Sequence, residues 1–501
     1  MWKSPARLWL CHFGLVLALT ADALLEPPFW DAAFSIFPAA LHWLRTDTTY
    51  TELLRMPPIT AGGPNAHANS VATFLVALVY RLVDSPRAAV VVLHLVWRAI
   101  LATGLTGTTV LASRVLGRRW GVAVMLLCLL HPLVMAQGRM IYLETLILAL
   151  HVTAVLAWLR GHTLLTFVVL FLDVATKEPG AVGAVALAAC TVLLPGPVVQ
   201  RVARAAALLA AFPLAFSLRV LFVENVSYTP PDLLGHVALH FRTYWNAMLD
   251  VGLLSLSAAA LGGLLLSRAL LPRWRQALTD ESQRILLVSG SICFAFHGFL
   301  LFHPLAGVTA HLIPRYHVEV MPFILLTLLG VLARVRVRWP LPVGAAGLAI
   351  FFLINQQGRL YTPPDSNDGC WAERSLDYKD LLALHQGLAA RAEELPPDVT
   401  KYYSIAEHYL TSYPDMGYVT RVPQNGHFHV HAPELLSEDS RGLPDEFYAF
   451  VGFALYFQDP YLRALLRLMK DPAFTHTREV LSAGPYTADI FHFRRVRPAG
   501  P

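Results

Sequence analysis

The sequence has few charged residues for its length. Of its 501 residues, 15% are Asp, Glu, Lys or Arg and 55% are hydrophobic, and the mean hydropathy is +0.50. Soluble domains carry about 25% charged residues, so these values exclude an ordinary soluble protein and predict a polytopic membrane protein. The formal net charge of +5 requires no nucleic-acid partner, because Lys and Arg concentrate in short loops.

Cysteines and phosphate-binding motifs are also scarce. Cys11, Cys128, Cys190 and Cys293 lie inside apolar segments, and only Cys370 falls in the more polar C-terminal part. This pattern indicates neither a disulfide framework nor a cysteine metal site. The sequence contains no G-x-x-x-x-G-K-[ST] or G-x-G-x-x-G loop, so it lacks the usual cradle for a nucleotide phosphate.

A series of apolar segments fills the first two thirds of the chain. They predict about eleven transmembrane helices, at residues 8–25, 87–113, 120–137, 141–159, 163–176, 179–195, 203–222, 247–267, 285–302, 317–333 and 340–356. The first of them lacks a small-residue cleavage site before LLEPPFW, so it is predicted to be retained rather than removed as a signal peptide.

The basic loops between these segments predict their orientation. Basic or polar clusters occur at 1–7, 114–119, 160–162, 195–204, 267–284 and 334–339. All six fall on one side of the predicted helices, which the positive-inside rule makes the cytoplasmic side. The remaining stretches are predicted to lie outside: 26–86, 137–144, 222–246, 303–316 and 357–501.

The first outer stretch predicts two helices that lie in the membrane interface. Residues 28–44 and 68–84 are apolar at helical spacing, but the second is too short to span a bilayer comfortably. The alternative, in which 68–84 crosses the membrane, would place the basic cluster 114–119 outside, against the positive-inside rule.

The chain changes character at about residue 357, where a polar linker begins. A helical period covers 375–395, and short strands are predicted at 399–405, 417–422, 428–432 and 488–496. The predicted fold is therefore a polytopic α-helical membrane protein with a small extracytoplasmic α/β domain at its C-terminus. Residues 1–356, including the outer stretch 26–86, form the predicted membrane module, and 357–501 form the predicted domain.

Five charged residues interrupt or border the apolar segments. Asp31, Arg139, Glu144, Lys177 and Arg315 all fall on the predicted outer face. A charge at mid-bilayer costs about 2.5–3.5 kcal/mol on insertion scales, and ionisable residues in such segments usually have a function. Their convergence on one surface predicts an active site there.

The motifs around these residues occur in a recognisable order. Asp31 follows the first helix, PNAHAN (64–69) precedes the second interfacial helix, and the basic turn SRVLGRRWG (113–121) comes next. HPLVMAQGRMIYLET (131–145), LDVATKEPG (172–180) and PRYHVEVMPF (314–323) follow. In this order, over about 25–330, the chain resembles the GT-C fold membrane glycosyltransferases, specifically the family 39 protein O-mannosyltransferase and aminoarabinose transferase branch.

The sequence departs from that family at three positions. Ala32 follows Asp31 where the family usually has a second acidic residue, and Glu144 stands where Asp is common. His67 is followed by Ala-Asn rather than by Pro-Pro. The carboxylate chemistry survives the change at Glu144, but these departures leave the donor sugar and the acceptor undetermined.

The resemblance implies a reaction that uses a sugar carried on a polyprenyl phosphate. An acceptor hydroxyl attacks C1 opposite the phosphate and inverts the anomeric centre, while a carboxylate, predicted to be Asp31, takes its proton. Lys177 and Arg315, with Arg139 third, are predicted to stabilise the charge that develops on the leaving phosphate. The other predicted substrate contacts are Glu144, His67 and Tyr316.

Each of these residues also has an ordinary structural explanation. Asp31 could cap a helix or lie in solvent, and Arg315 could be an interfacial anchor. Lys177 and Arg139 could extend from helix ends to the membrane surface, as long basic side chains often do. Glu144 could pair with Arg139, five residues before it.

No cofactor is firmly predicted. Lys177 and Arg315 could replace the metal ion that nucleotide-sugar enzymes often use, although a divalent cation remains an alternative. His427, His429 and His431 alternate as in some zinc-binding strands, but no partnering Cys or carboxylate motif accompanies them. No metal site is therefore predicted.

The predicted function is an inverting glycosyltransferase of a bacterial cytoplasmic membrane, with its active site facing the periplasm or exterior. Its predicted partners are the polyprenyl-phosphate sugar, membrane lipids and a glycan, lipid or protein acceptor, without nucleic acid. One rival is a flippase for lipid-linked saccharides, which would show broken helices paired between two halves. The other is an inactive scaffold, suggested by the missing second acidic residue after Asp31.

Overall fold

A computed structural model describes residues 4–46, 71–222, 251–302, 313–335, 340–356, 375–428, 432–437, 440–452 and 459–496, together with Thr49 and Glu52. These residues form two compact units. The first unit contains the described residues up to Leu24 and from His94 to Leu376. The second contains those from Leu25 to Leu93 and from Asp377 onward.

This grouping differs from a division of the chain at residue 356. The helices of the outer stretch 26–86 contact C-terminal residues: the hydroxyl of Tyr80 donates a hydrogen bond to the backbone oxygen of Asp415 at 2.8 Å, and Arg45 pairs with the Asp415 carboxylate. Packing therefore joins the outer stretch to the C-terminal part. Whether 357–501 folds as an independent domain stays a prediction.

The described part of the chain is mostly helical. In chain order, the helices are α1 Pro5–Thr20, α2 Phe37–Arg45, α3 Val71–Leu82, α4 Pro86–Leu116, α5 Arg118–Leu130, α6 Pro132–Arg139, α7 Leu143–Leu159, α8 Thr163–Thr176, α9 Ala181–Leu193, α10 Val198–Leu209, α11 Ala211–Phe222, α12 Leu253–Ala269, α13 Pro272–Ala277, α14 Glu281–Phe302, α15 Ile313–Leu332, α16 Pro340–Ile354, α17 Tyr378–Glu394, α18 Ile405–Ser412, α19 Pro433–Leu436 and α20 Asp459–Leu468. Each of the eleven segments predicted to be transmembrane contains helical residues.

Several of these helices have the length and apolarity of membrane spans. Among the described residues, five qualify: Pro5–Ala23, Pro86–Leu116, Val198–Ser217, Glu281–Leu301 and Arg315–Leu332. A sixth is added if α5 and α6 form one bent span, and several shorter apolar helices accompany them. A multi-pass membrane protein is thus supported, while the total of about eleven crossings stays a prediction.

The segment 120–137 is not one continuous helix, so that prediction was wrong. Helix α5 ends at Leu130 and α6 begins at Pro132, and the two axes differ by 69°. His131 between them has an extended backbone (φ −60°, ψ 127°), because a following proline disfavours the helical conformation. The ring of His131 also accepts a hydrogen bond from the Leu133 amide at 3.3 Å, which caps α6.

Helix α15 lies at the centre of the first unit. It packs against α5, α6, α7, α12 and α14, and residues on all its sides are buried. A helix that is apolar all round belongs in the interior rather than at a boundary. Charged residues on α15 are therefore surrounded by protein.

The second unit contains a five-stranded mixed sheet. Its strands are β1 Thr400–Tyr403, β2 Gly426–Phe428, β3 Glu446–Val451, β4 Phe474–Ala483 and β5 Tyr486–Arg495, in the spatial order β2-β1-β3-β5-β4. β1 is parallel to β2 and β3, and β5 is antiparallel to β3 and β4. Helix α17 packs on β4 and β5.

The strand predicted at 417–422 was wrong. Residues 417–422 form a bend instead, because the amides of Thr420 and Arg421 donate to Oε1 of Glu393, both at 2.9 Å, rather than to a neighbouring strand. The predicted strand at 428–432 extends into 429–431, which lie outside the described residues. Strands β3 and β4 were not predicted.

Candidate active site

Two consecutive helices bring Glu144 and Lys177 together. Glu144 lies in the first turn of α7, and Lys177 follows the last residue of α8. Because only a three-residue turn joins these antiparallel helices, the start of α7 and the end of α8 meet at the same end of the unit. The Lys177 ammonium group donates a hydrogen bond to Oε1 of Glu144 at 2.6 Å. Both side chains are buried, at 3% and 0% exposure.

The turn after Lys177 keeps this end of α8 compact. The backbone turns through Glu178–Gly180 into α9. Gly180 lies so close to the backbone carbonyl of Asp173 that a side chain there would overlap it. Glycine is therefore required at this point of the KEPG motif for the chain to fold back on α8.

Arg315 approaches the same carboxylate from α15. Its Nε lies 3.6 Å from Oε1 of Glu144, and the side chain is 4% exposed. The ring of Tyr316 lies beside both cations, with its centroid 4.7 Å from the Lys177 nitrogen and 5.5 Å from the Arg315 guanidinium carbon. Cations at such distances are attracted to the electron-rich face of an aromatic ring. Four predicted substrate contacts, Glu144, Lys177, Arg315 and Tyr316, thus lie together.

The charges of this trio do not cancel. Two cations, Lys177 and Arg315, share the single carboxylate of Glu144, so these three side chains by themselves carry one positive charge in excess. Charges interact more strongly in a buried site than in water. The trio can therefore attract an anion such as a phosphate group.

Sequence analysis missed other buried ionisable residues beside this trio. Glu319, one helical turn after Arg315, is fully buried and interacts electrostatically with Glu144, Lys177, Arg315 and Asp173. Neither of its oxygens has a hydrogen-bond partner within the described residues. The signal was present in the sequence, because Glu319 interrupts the apolar helix of the PRYHVEVMPF motif.

Asp173 of α8 and His151 of α7 form a second buried group. Nε2 of His151 lies 3.2 Å from Oδ2 of Asp173, and both side chains are fully buried. A Cβ on Gly183 would lie 2.6 Å from a ring carbon of His151, so α9 can pack this closely only with glycine there. Asp173 is thus a third buried carboxyl group, after Glu144 and Glu319, among the residues that the structure describes in this region.

Arg139 has different partners from those considered in the sequence analysis. It donates two hydrogen bonds of 2.7 Å to the carboxylate of Asp22 and one of 2.8 Å to the backbone oxygen of Leu19. It therefore ties α6 to the end of α1, and the suggested pairing of Arg139 with Glu144 was wrong. A role for Arg139 in substrate binding stays a prediction.

Buried Arg98 supports the same region of α1. It donates to the hydroxyl and to the backbone oxygen of Thr20, at 2.8 and 3.0 Å, and to the backbone oxygen of His94 at 3.0 Å. The sequence analysis did not single out Arg98, although a charge inside the long apolar helix α4 was a signal. Its contacts indicate a structural role.

Asp31 belongs to the second unit and has an unusual local backbone. Trp30 before it has a positive φ of 51°, and a π-helical turn follows at Ala32–Ile36. Both conformations are uncommon for such residues and are frequent at functional sites. The Asp31 side chain is half-buried. The other predicted contact of the outer stretch, His67, lies outside the described residues.

Within the described ranges, no group of three or more His, Cys, Asp or Glu side chains is arranged to hold a metal ion. His427 lies in β2, whereas His429 and His431 fall outside those ranges. The two cations near the buried carboxyl groups, Lys177 and Arg315, both pair with Glu144. A divalent cation stays an alternative prediction.

Comparisons with known proteins return a distant structural likeness. No family model and no curated protein matches the chain. Two crystal structures of ArnT from Cupriavidus metallidurans are similar, one bound to undecaprenyl phosphate and one in the apo state. Their identities to this chain are 13% and 12%, with TM-scores of 0.42 and 0.43.

The likeness extends over most of both proteins. The bound structure covers 96% of this chain and 98% of its own length, and the apo structure covers 97% and 98%. ArnT is a GT-C fold aminoarabinose transferase, the branch that the sequence motifs resemble. At this identity and TM-score, the likeness assigns neither a reaction nor a substrate to the present chain.

Proposed function

We propose that the protein is an inverting glycosyltransferase that moves a sugar from a polyprenyl phosphate to a hydroxyl-bearing acceptor. The acceptor oxygen forms a bond to C1 of the sugar as the bond from C1 to the phosphate oxygen breaks. Asp31 takes the acceptor proton, and the electron pair of the broken bond leaves with the polyprenyl phosphate. The acceptor is a lipid, a glycan or a protein.

The observation that supports this proposal most is that Lys177 and Arg315 both pair with the carboxylate of Glu144. Helices far apart in sequence supply these two cations to a buried site, where they share the carboxylate of Glu144. The leaving group needs such a site, because preorganised cations in a buried environment stabilise charge that develops in the transition state. Undecaprenyl phosphate, which is bound to ArnT in one of the similar structures, is a suitable test ligand.

The proposed fold is that of the GT-C membrane glycosyltransferases, with about eleven transmembrane helices. The active site faces outward from a bacterial cytoplasmic membrane, on the same side as the C-terminal domain. In a cysteine-free background, a probe at exposed Arg421 should then be labelled in intact spheroplasts. A probe at Arg118 should be labelled only after lysis, and the opposite result would reverse the orientation.

The experiment that tests the reaction is a transfer assay on purified protein in nanodiscs. A panel of radiolabelled hexoses and pentoses on polyprenyl phosphate is supplied, and release of free polyprenyl phosphate is measured. Wild-type protein should consume at least one donor with inversion at C1, and Lys177→Ala should consume it more slowly. If the panel remains intact with cell-envelope extract as the source of acceptor, the proposal is wrong.

A transporter of lipid-linked saccharides is the second candidate. The 69° break between α5 and α6 favours it, since broken helices form the ion and substrate sites of many transporters. The two functions differ in their products. A transporter moves the labelled sugar across the membrane while the bond to phosphate stays intact, whereas a transferase separates sugar from phosphate.

A further inference from the structure

The segment that carries Asp31 is bound directly by residues of the C-terminal part of the chain. The hydroxyl of Tyr378, in α17, donates a hydrogen bond of 2.8 Å to Oε2 of Glu26, which lies 352 residues away in sequence. The hydroxyl of Tyr418 donates a hydrogen bond of 2.8 Å to the backbone oxygen of Pro28, across 390 residues. These two hydrogen bonds hold the chain on the N-terminal side of Asp31.

Aromatic contacts hold the segment on both sides of Asp31. The ring of His385, in α17, lies 5.8 Å from that of Phe29 and 6.0 Å from that of Phe34, measured between centroids. Phe29 also lies 5.7 Å from Tyr378. His385 and the two phenylalanines are buried. One side chain of α17 thus packs between residues that precede and follow Asp31.

His385 acts through its shape rather than its charge. Neither ring nitrogen has a hydrogen-bond partner within the described residues. Burial lowers the pKa of His385 to about 3, because a buried environment favours the neutral ring. A buried polar group without a partner is destabilising, and an apolar ring of similar size should therefore serve as well.

The backbone at Asp31 needs such external support. Trp30 holds a positive φ of 51° and a π-helical turn follows Asp31. Conformations of this kind persist only where surrounding structure enforces them. Helix α18 packs against the π-helical turn as well, so α17, α18 and the bend at 417–422 all contact this segment.

We infer that the C-terminal part of the chain is a clamp that positions the Asp31 carboxylate, with Tyr378, His385 and Tyr418 as its positioning residues. This inference rests on the proposed function, in which Asp31 takes the acceptor proton. It gives the C-terminal residues a role in catalysis without any contact to the reacting atoms. Loosening the clamp should slow the chemical step and leave donor binding unchanged.

The test compares Tyr418→Phe and His385→Ala with a matched control, Tyr402→Phe. Tyr402 donates a hydrogen bond of 3.0 Å to Glu434 within the same unit, away from residues 25–36. Full-length variants in nanodiscs are compared by thermal unfolding and by hydrogen exchange of the 25–36 amides. Steady-state kinetics use whichever polyprenyl-phosphate sugar of the panel the wild-type protein consumes.

Tyr418→Phe should lower kcat about fivefold, the effect of losing one hydrogen bond of ordinary strength, with KM for the donor unchanged. His385→Ala should lower kcat further, and both should speed exchange at 25–36. His385→Phe should restore kcat and slow exchange, because it refills the space between Phe29 and Phe34. Tyr402→Phe should leave both at wild-type values, even if its melting temperature falls as much as that of Tyr418→Phe.

Two results separate this inference from the proposed function. If Asp31→Asn is inactive but Tyr418→Phe and His385→Ala behave like Tyr402→Phe, the clamp is wrong and the proposed function stands. If Asp31→Asn retains wild-type activity while exchange at 25–36 still responds to the clamp variants, the catalytic role of Asp31 is wrong. Failure of His385→Phe to rescue the Ala variant would overturn the role of His385 as a packing residue.

Discussion

The two regions that carry the predicted site residues hold them in opposite ways. At the end of the helices in the first unit, Lys177, Arg315 and Glu144 position one another by charge in a buried environment. In the second unit, the segment of Asp31 is held by neutral rings and by hydrogen bonds to its neighbours. Substitutions in the first region should therefore act through charge balance, and those in the second through the position of one carboxylate.

The largest expected effect comes from the carboxylate itself. Asp31→Asn keeps the shape of the side chain but removes the proton acceptor, so kcat should fall by about 10²–10⁴-fold. Binding of polyprenyl phosphate should persist, because the proposed anion site belongs to the first unit. Transfer kinetics and ligand binding measured on the same preparation check both statements.

Asp84→Asn is the control for that substitution. Asp84 is an exposed aspartate of the same outer stretch, and its change should leave turnover intact. If Asp31→Asn keeps more than about a tenth of the wild-type turnover, the loss is too small for a general base. Glu144 would then be the next residue to test.

The region of Lys177, Arg315 and Glu144 should respond most to the loss of its shared carboxylate. Glu144→Gln leaves two buried cations without their common partner, and breaking a buried ion pair from one side costs about 3–5 kcal/mol. Glu319→Gln should cost far less, since neither oxygen of Glu319 has a hydrogen-bond partner within the described residues. Thermal unfolding in one detergent should place Glu144→Gln well below both Glu319→Gln and wild type. Equal melting temperatures for the two variants would mean that Glu144 does not compensate the cations.

Part of the fold and of the candidate site could be predicted from the sequence. The helix predicted at 163–176 has the same boundaries as α8. A glycine-containing turn precedes this apolar run, and a proline follows soon after its end. The short connection between α7 and α8 also predicts that Glu144, in the first turn of α7, and Lys177, just after α8, share one end of the bundle. Their meeting required only the order of helices and loops.

Other features depend on packing that no local pattern records. The approach of Arg315 to Glu144 depends on α15 lying at the centre of the unit. The hydrogen bonds to Glu26 and Pro28, just before Trp30, come from residues 352 and 390 positions later in the chain. Most side chains of β4 are exposed or half-buried, so its sequence lacks the alternation that marks a strand.

A third and smaller effect is the pH dependence of stability that a buried carboxyl group of the second unit causes. Glu407, at the start of α18, accepts a hydrogen bond from the hydroxyl of Ser404. Glu144 in the first unit is paired with two cations instead. Burial raises the pKa of Glu407 from its usual 4.5 to about 7. The folded state therefore binds this proton more tightly than the unfolded chain does. From this group, stability should fall as pH rises from about 4.5 to about 7, by up to about 3 kcal/mol, and then level off.

Glu407→Gln should remove that fall in stability, since it has no proton to lose. Thermal unfolding between pH 4.5 and pH 8 measures the difference from wild type. Glu479→Gln, which removes an exposed partner of Arg391, is the control and should leave the pH dependence in place. If wild type and Glu407→Gln lose stability equally over this range, another group causes the loss.

The central claim is that Lys177 and Arg315 together bind the phosphate of a polyprenyl phosphate. Its most direct test is the affinity of undecaprenyl phosphate for wild type, Lys177→Ala, Arg315→Ala and the double variant, measured in the same nanodiscs. Each single substitution should weaken binding by about tenfold, as expected for the loss of one hydrogen bond to a charged group. The double should lose less than the product of the two, because residues that share a ligand are coupled. Arg114→Ala, which removes an arginine paired with Glu281, should bind like wild type, whereas a double variant that binds as tightly as wild type would contradict the account.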